Sequence, residues 1–337
     1  MRPLLARFAD DVKFGGSSFR EIRKILALGS AAGRLGSRLP GKSRYNSRPV
    51  QLLPISVYAM PSFAARLQQK INEHSPLCVG IDPSAALLKS CGLPNTAEGA
   101  LAFGQRVLEA AQYRIAVIKP QSAFFERFGS AGFRAMEELT AIARANDVLV
   151  LLDGKRGDID STGAAYAEGY FAPTSTLRAD AVTTHAYLGL KALSPFFEVA
   201  NQAEGGVFVV VRSSNPEGRE LQHAKLPSGE TVALAMAREI TERNRAYTSE
   251  PIGPIGAVVG ATCEDAAETV AALPNSFILA PGVGAQGATI DDIAARMPNA
   301  RGRVLPNVSR AILANGVEPA QIATTIQALH EQARKLL

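Results

Sequence analysis

The stretch VLVLLDGKRGDID, residues 148–160, decides the fold. Five apolar residues, Val148 to Leu152, run without a polar break and then end abruptly in Asp153, Lys155 and Asp158. An uninterrupted apolar run of this length reads as a strand buried on both faces, as in a parallel sheet covered by helices. Charges at the end of such a strand are costly to desolvate unless they neutralise one another or serve chemistry.

Seven further runs of the same kind flank it in the chain. They are LCVGIDP from Leu77, RIAVIKP from Arg114, ADAVTTHA from Ala179, GVFVVVRSS from Gly206, IGAVVGAT from Ile255, FILAPGVG from Phe277 and RVLPNVSR from Arg303. Segments of helical period lie between them, at 98–111, 130–146, 231–246 and 263–273, and a last helix is expected over about 319–336. Eight strand–helix units spaced this evenly predict a (β/α)₈ barrel rather than an open doubly wound sheet. Gly282-Val283-Gly284 lacks the third glycine of a dinucleotide fingerprint.

The polar residues then fall into one pattern. Asp82, Lys119, Asp153 with Lys155, Thr184 with His185, Arg212 with Ser213 and Ser214, Gln286 and Arg310 all stand at or just beyond strand C-termini. That is the end where barrels of this kind carry their active sites. If Leu149 and Leu151 point inward, Asp153 and Lys155 do too, because alternate strand residues share a face. Lys119 ends the preceding strand and Asp158 follows three residues after Lys155, in front of a helix that Asp160 or Ser161 could cap. The expected row is Lys119, Asp153, Lys155, Asp158, alternating in sign. Carboxylate neighbours keep a lysine protonated, which suits a general acid. A purely structural salt-bridge network is the alternative reading of the row. His185 is read as a mouth-lining polar residue rather than a catalytic one.

Two loops suggest the ligand. PGVGAQG, residues 281–287, is rich in glycine, so its backbone N–H groups can approach an anion. NVSRAIL, residues 307–313, sets Arg310 at a strand end with a helix expected directly after it. Loops after the seventh and eighth strands are the usual phosphate site of the fold, and an arginine there offers a bidentate contact. A phosphorylated substrate is the expectation.

Composition bounds the rest. The 337 residues are 47% hydrophobic and 20% charged, with no Trp. Cys78, Cys91 and Cys263 are too few and too scattered for a disulfide framework or a zinc site, which fits reduced thiols in a cytoplasmic protein. No apolar stretch is long enough for a membrane span. Residues 1–49 hold eleven Lys/Arg against three Asp/Glu, a surplus of +8, so the remainder of this +5 chain carries −3. The segment 1–59 reads as a disordered tail, a targeting peptide or the product of an upstream start. An inert tail or start artefact is the favoured reading, with the catalytic domain at 60–337 opening at Met60. A nucleic-acid arm finds no matching basic stripe or aromatic platform in the rest of the chain.

Asp153-x-Lys155-x-x-Asp158-Ile159 with Thr162, together with VIKPQSAFFERFGSAGF (117–133), KRGDI (155–159), RSSNPEG (212–218) and PGVGAQG, resembles the orotidine-5′-phosphate decarboxylases, in their bacterial type 2 form. The resemblance spans about 61–337 and leaves out 1–59. It implies a cofactor-free, metal-free decarboxylation of orotidine 5′-phosphate by a homodimer with shared sites, binding neither nucleic acid nor membrane. Asp82 and Lys119 would meet the ribose and the reacting region, Asp153 the leaving carboxylate, and Lys155 would donate the proton. Asp158, Ile159 and Thr162 would reach the partner's site. Ser214 and Gln286 would contact the pyrimidine, Gln286 and Arg310 the phosphate, and Pro281 would line the same pocket. The sequence departs from the pattern at Gly154, where alanine is usual, and at Asp160-Ser161-Thr162. Rival readings are a metal-dependent phosphosugar enzyme, such as a hexulose-phosphate synthase or keto-gulonate-phosphate decarboxylase, a non-catalytic ligand-binding barrel, and a Schiff-base aldolase. Lys119 speaks against the first, since an acidic residue is expected there in those enzymes.

Overall fold

The structure, a computed structural model, describes residues 61–248, 250–284 and 287–337. The readings made for 1–59, Met60 and Gln286 lie outside the described residues. Eight parallel strands close in chain order into one barrel: β1 Cys78–Ile81, β2 Val117–Pro120, β3 Leu149–Arg156, β4 Ala181–His185, β5 Gly206–Arg212, β6 Ile255–Val259, β7 Ile278–Pro281 and β8 Val304–Val308. Closure runs through Cys78 opposite Asn307 and Val79 opposite Val308. Helices α1 Phe63–Glu73, α2 Ala97–Ala110, α3 Gly129–Ala145, α4 Asp160–Phe171, α5 Ser194–Gln202, α6 Val232–Tyr247, α7 Ala266–Ala271, α8 Ile290–Arg296 and α9 Pro319–Ala333 accompany them. Short helical segments at Ala85–Ser90, Ser122–Glu126 and Gly218–Gln222 build up the loops after β1, β2 and β5. The (β/α)₈ architecture expected from the eight runs is the observed one.

Alternation sorts each strand into two cores. Cys78, Val117, Leu149, Leu151, Ala181, Phe208, Leu279 and Leu305 fill the barrel interior. Val79, Ile118, Val150, Leu152, Val182 and Val209 face the surrounding helices. Helix α1 closes the N-terminal end of the barrel with Phe63, Leu67 and Ile71, each buried. Burying such side chains is worth roughly 1.5–3 kcal/mol apiece. Ser62 starts this helix by accepting the Ala65 N–H at 3.2 Å, and the Phe63 ring meets Phe208 edge-on at 6.1 Å. Gly206 is needed at that contact, because a Cβ there would lie 2.3 Å from the Phe63 ring. Among the described residues, aliphatic and aromatic side chains fill the bottom of the barrel, and the polar residues expected at the strand ends stand at the opposite end.

Two local expectations are corrected. Helix α7 begins at Ala266 rather than 263, because Cys263 and Asp265 are engaged in the turn after β6. Neither Asp160 nor Ser161 caps α4: Asp160 is its first residue, with φ +46°, and the N-cap position is Ile159, whose side chain offers no acceptor. Asp158 instead accepts the N–H of Ile159 at 2.8 Å.

Candidate active site

At the C-terminal end of the barrel a cavity of about 300 Å³ gathers Asp82, Lys119, Asp153, Lys155, Ser214, Pro281 and Arg310. Leu149 and Leu151 point inward, so Asp153 does as well, at the mouth. Its carboxylate is the hub. Oδ2 accepts from Lys119 Nζ at 2.9 Å and from Gln121 Nε2 at 2.9 Å. Oδ1 accepts from Lys155 Nζ at 2.5 Å and from Thr183 Oγ1 at 2.7 Å. Four donors match the acceptor capacity of one ionised carboxylate. Asp82 Oδ1 stands 3.9 Å from Lys119 Nζ, buried and without a hydrogen bond among the described residues.

Burial and charge oppose each other here, and charge wins. Burial alone would push the Asp153 carboxyl up, yet Lys119 and Lys155 hold it well below the usual carboxylate range. Burial would push the Lys119 ammonium down, yet Asp153 and Asp82 hold it above the usual lysine range. Lys119 is 3% exposed, whereas the Lys155 side chain is 49% exposed. The inner ammonium is therefore a fixed counter-charge. The outer one faces the cavity and is free to meet a ligand.

The backbone reaches this arrangement by breaking the strand. Pairing with β4 shifts register between Leu152 and Arg156, and Lys155 takes φ +43°, in the left-handed region. The simple two-residue alternation expected for Asp153 and Lys155 does not hold past Asp153. The Lys155 N–H donates to Thr183 Oγ1 at 3.0 Å, and its side chain turns back to Asp153.

The outer part of the expected charge row is different. Within the chain Asp158 makes no ion pair among the described residues, and neither it nor Ile159 nor Thr162 lines the cavity. Ile159 is 49% exposed and Thr162 is exposed. His185 also stays outside the cavity: its ring and carbonyl pack where a Cβ on Gly157 would be, 2.5–3.1 Å away. Thr184 faces away from the mouth, its buried hydroxyl without a hydrogen-bond partner among the described residues. Thr183 is the residue that faces in, in phase with the inward Ala181. Arg212 likewise does not reach the cavity. It is buried, and its Nε donates to both carboxylate oxygens of Asp265 at 3.0 Å. Gln121 and Thr183 in the Asp153 network, and Asn215, Asn307 and Ser309 in the cavity lining, are site residues that the sequence reading missed. Gln121 directly follows the LysPro end of β2, and Thr183 was displaced by its identical neighbour.

At the far end of the cavity, Arg310 has no hydrogen-bond or ion-pair partner among the described residues. The helix expected directly after the strand is a short 3₁₀ helix, Arg310–Leu313, which Arg310 itself begins. Gly282 and Gly284 beside it have φ +117° and +74°. Gly284 also abuts the Ala311 methyl, 2.6 Å from where its own Cβ would sit, so no side chain fits there. The loops after β7 and β8 thus meet around an unneutralised guanidinium. Among the described residues no group of three or more His, Cys, Asp and Glu is placed to hold a metal ion, and no helix is long and apolar enough to cross a membrane.

Comparison with known proteins gives this geometry a context. The family model described as "Orotidine 5'-phosphate decarboxylase / HUMPS family" matches residues 75–326. The orotidine 5′-phosphate decarboxylase of Salinispora arenicola is 47% identical over 263 residues, 78% of this chain and 94% of the relative. That of Streptomyces coelicolor is 44% identical over 265 residues, 79% of this chain and 94% of the relative. A crystal structure from Streptomyces avermitilis, 42% identical, superposes with a TM-score of 0.78 over 84% of this chain and 99% of its own. The OMP decarboxylase structure from Leishmania donovani, 30% identical, gives 0.66 over 81% and 99%.

Proposed function

The chain belongs to the orotidine 5′-phosphate decarboxylase / HUMPS family, and on that premise we propose that it converts orotidine 5′-phosphate to uridine 5′-phosphate and CO₂, in pyrimidine biosynthesis, without metal or cofactor. The observation that carries this reading is a single buried carboxylate, Asp153, held between two ammonium groups at the mouth of the barrel. Breaking the bond from pyrimidine C6 to the carboxylate leaves its electron pair on C6. Lys155 stabilises that developing carbanion and then donates a proton to it. At about 4 Å and an effective dielectric of ~20, one such charge contact is worth roughly 4 kcal/mol. Asp153 faces the leaving carboxylate, and Lys119 keeps Asp153 ionised in its buried position. Asp82, with its unsatisfied Oδ1, is an acceptor for a ribose hydroxyl. Ser214 and Pro281 border the pyrimidine, and Gln286 is assigned by its motif to the pyrimidine and phosphate. Interleaved lysines are poor metal ligands, which supports metal-free chemistry over the metal-dependent phosphosugar enzymes. The test is loss of the orotidylate absorbance on incubation with dialysed protein in chelator; an unchanged spectrum defeats the proposal.

Phosphate is bound by Arg310 with the glycine loop. Charge-assisted hydrogen bonds contribute about 1.5–3 kcal/mol. Arg310→Ala is therefore expected to weaken uridine 5′-phosphate binding by about 10–100-fold and to leave uridine binding nearly unchanged. Calorimetric titration of both ligands checks this; equal losses would remove Arg310 from the role.

The working unit is a homodimer in which Asp158, Ile159 and Thr162 complete the partner's site. The exposure of Ile159 and Thr162, and that of Tyr166, Tyr187 and Leu188 on α4 and on the loop after β4, supports a facing second copy. The catalytic domain is 60–337, in the cytoplasm, where three unpaired cysteines are at home. A chain starting at Met60 is expected to turn over like the full one; an insoluble or inactive product would make 1–59 part of the working fold.

A further inference from the structure

Lys155 is an L-residue held at φ +43°. Such a conformation persists only where the surroundings enforce it. Thr183 fixes the Lys155 amide on one side. On the other side stands Arg156, which is absent from the cavity lining. Its Nε donates to Tyr170 Oη at 2.9 Å, its Nη2 pairs with Glu126, and its guanidinium lies 5.7 Å from the centre of the Tyr166 ring. Glu126 ends the short helix after β2, and both tyrosines belong to α4. The guanidinium therefore ties the end of β3 to the elements on either side of it. Tyr170 is 5% exposed, so its hydroxyl is a fixed acceptor.

Gly154 belongs to the same device. A Cβ at 154 would stand 2.9 Å from Tyr170 Oη and 3.7 Å from Arg156 Cγ. The tyrosine hydroxyl occupies the room a methyl would need, and from there it meets Arg156. The residues flanking Lys155 in the chain thus serve one contact, made on the side of the strand away from the cavity.

We propose that Arg156, clamped by Glu126 and Tyr170 in space left by Gly154, is a positioning residue that holds Lys155 in the left-handed conformation from which its ammonium reaches Asp153. This rests on the assignment of Lys155 as proton donor. Arg156 touches no reacting atom. Its loss misplaces the donor without removing it, and misplacement by about 1 Å costs on the order of 10²-fold in rate.

The experiment compares the full chain with Arg156→Ala. The variant is expected to lose kcat by about 10²-fold while uridine 5′-phosphate affinity stays at the wild-type value. Millimolar guanidinium is expected to restore part of the kcat of Arg156→Ala, which a lost structural strut would not allow. Unchanged kcat, a loss that extends to nucleotide affinity, or a loss that guanidinium does not touch overturns the proposal. A crystal structure of Arg156→Ala reads the geometry without any turnover. Residue 155 is expected to leave the left-handed region and Nζ to move out of hydrogen-bond range of Asp153; Lys155 unmoved in that structure overturns the clamp. A wild type that releases no CO₂ from orotidylate defeats the functional reading alone, because the crystallographic arm still decides the clamp.

Discussion

Lys155→Ala is expected to lose about 10⁵-fold in kcat, because two contributions vanish with one ammonium. Proton donation by a positioned acid is worth about 10²–10⁴-fold. A fixed charge aimed where negative charge develops is worth about 10²–10³-fold. The fold is expected to survive. The Lys155 side chain is half exposed, and its removal leaves Asp153 three of its four donors, Lys119, Gln121 and Thr183. Uridine 5′-phosphate binding should suffer much less than turnover, since the phosphate end of the cavity is untouched. Stopped-flow or spectrophotometric assay of orotidylate, beside calorimetry with the product nucleotide, separates the two quantities. Turnover near the wild-type rate would take Lys155 out of the reaction, and the row of charges would revert to a structural network.

The contrast with Lys119 sharpens the assignment. Both lysines pair with Asp153, but Lys119 is sealed in the barrel and its charge is pinned by two carboxylates. A proton held that tightly is a poor candidate for transfer. The exposed lysine can approach a ligand and be reprotonated from solvent. Position along β2 and β3, rather than residue type, therefore divides the roles of two identical side chains.

What could be read from the sequence follows the same division between regular and irregular backbone. The eight strands were legible because strands covered on both faces are continuous apolar runs. Asp153 was legible because Leu149 and Leu151 set the phase of β3. Beyond Asp153 the phase is lost: the register shift and the left-handed Lys155 have no counterpart in any periodicity. The lysine arrives at the right place by another path, turning back onto a carboxylate two residues behind it. Thr183 and Thr184 are identical neighbours, so only the inward position of Ala181 tells which one faces the cavity. Arg212 looked like a mouth cation because its partner, Asp265, lies 53 residues away and carries no local signature. Gln121 was hidden for the opposite reason: nothing marks a neutral amide as a ligand of a carboxylate until the strands are side by side. Asp160 failed as a cap because the chain turns into α4 one residue earlier, at Ile159.

Asp158, which stands outside the cavity of its own chain, carries the other large expected effect under the proposed shared site. Asp158→Ala and Lys155→Ala are each expected to be nearly inactive as homodimers, the second for want of the proton donor and the first for want of the carboxylate that a neighbour would lend. In a two-fold dimer the loan is reciprocal. When the two inactive proteins exchange subunits, one site of each heterodimer receives both lesions and the other receives neither. Activity is therefore expected to rise from near zero to that of one intact site per heterodimer, in proportion to heterodimer formed. The geometry motivates the test: Asp158 makes no ion pair in its own chain among the described residues, and the side chain that follows it, Ile159, is an aliphatic group left half in water. Removing that apolar surface from water at an interface is favourable at roughly 25 cal/mol per Å², so a partner that received the carboxylate would also cover the isoleucine. If verified heterodimers stay as inactive as their parents, Asp158 acts within its own chain. The loop would then have to fold inward over the cavity, and the exposed surface around α4 would need another explanation.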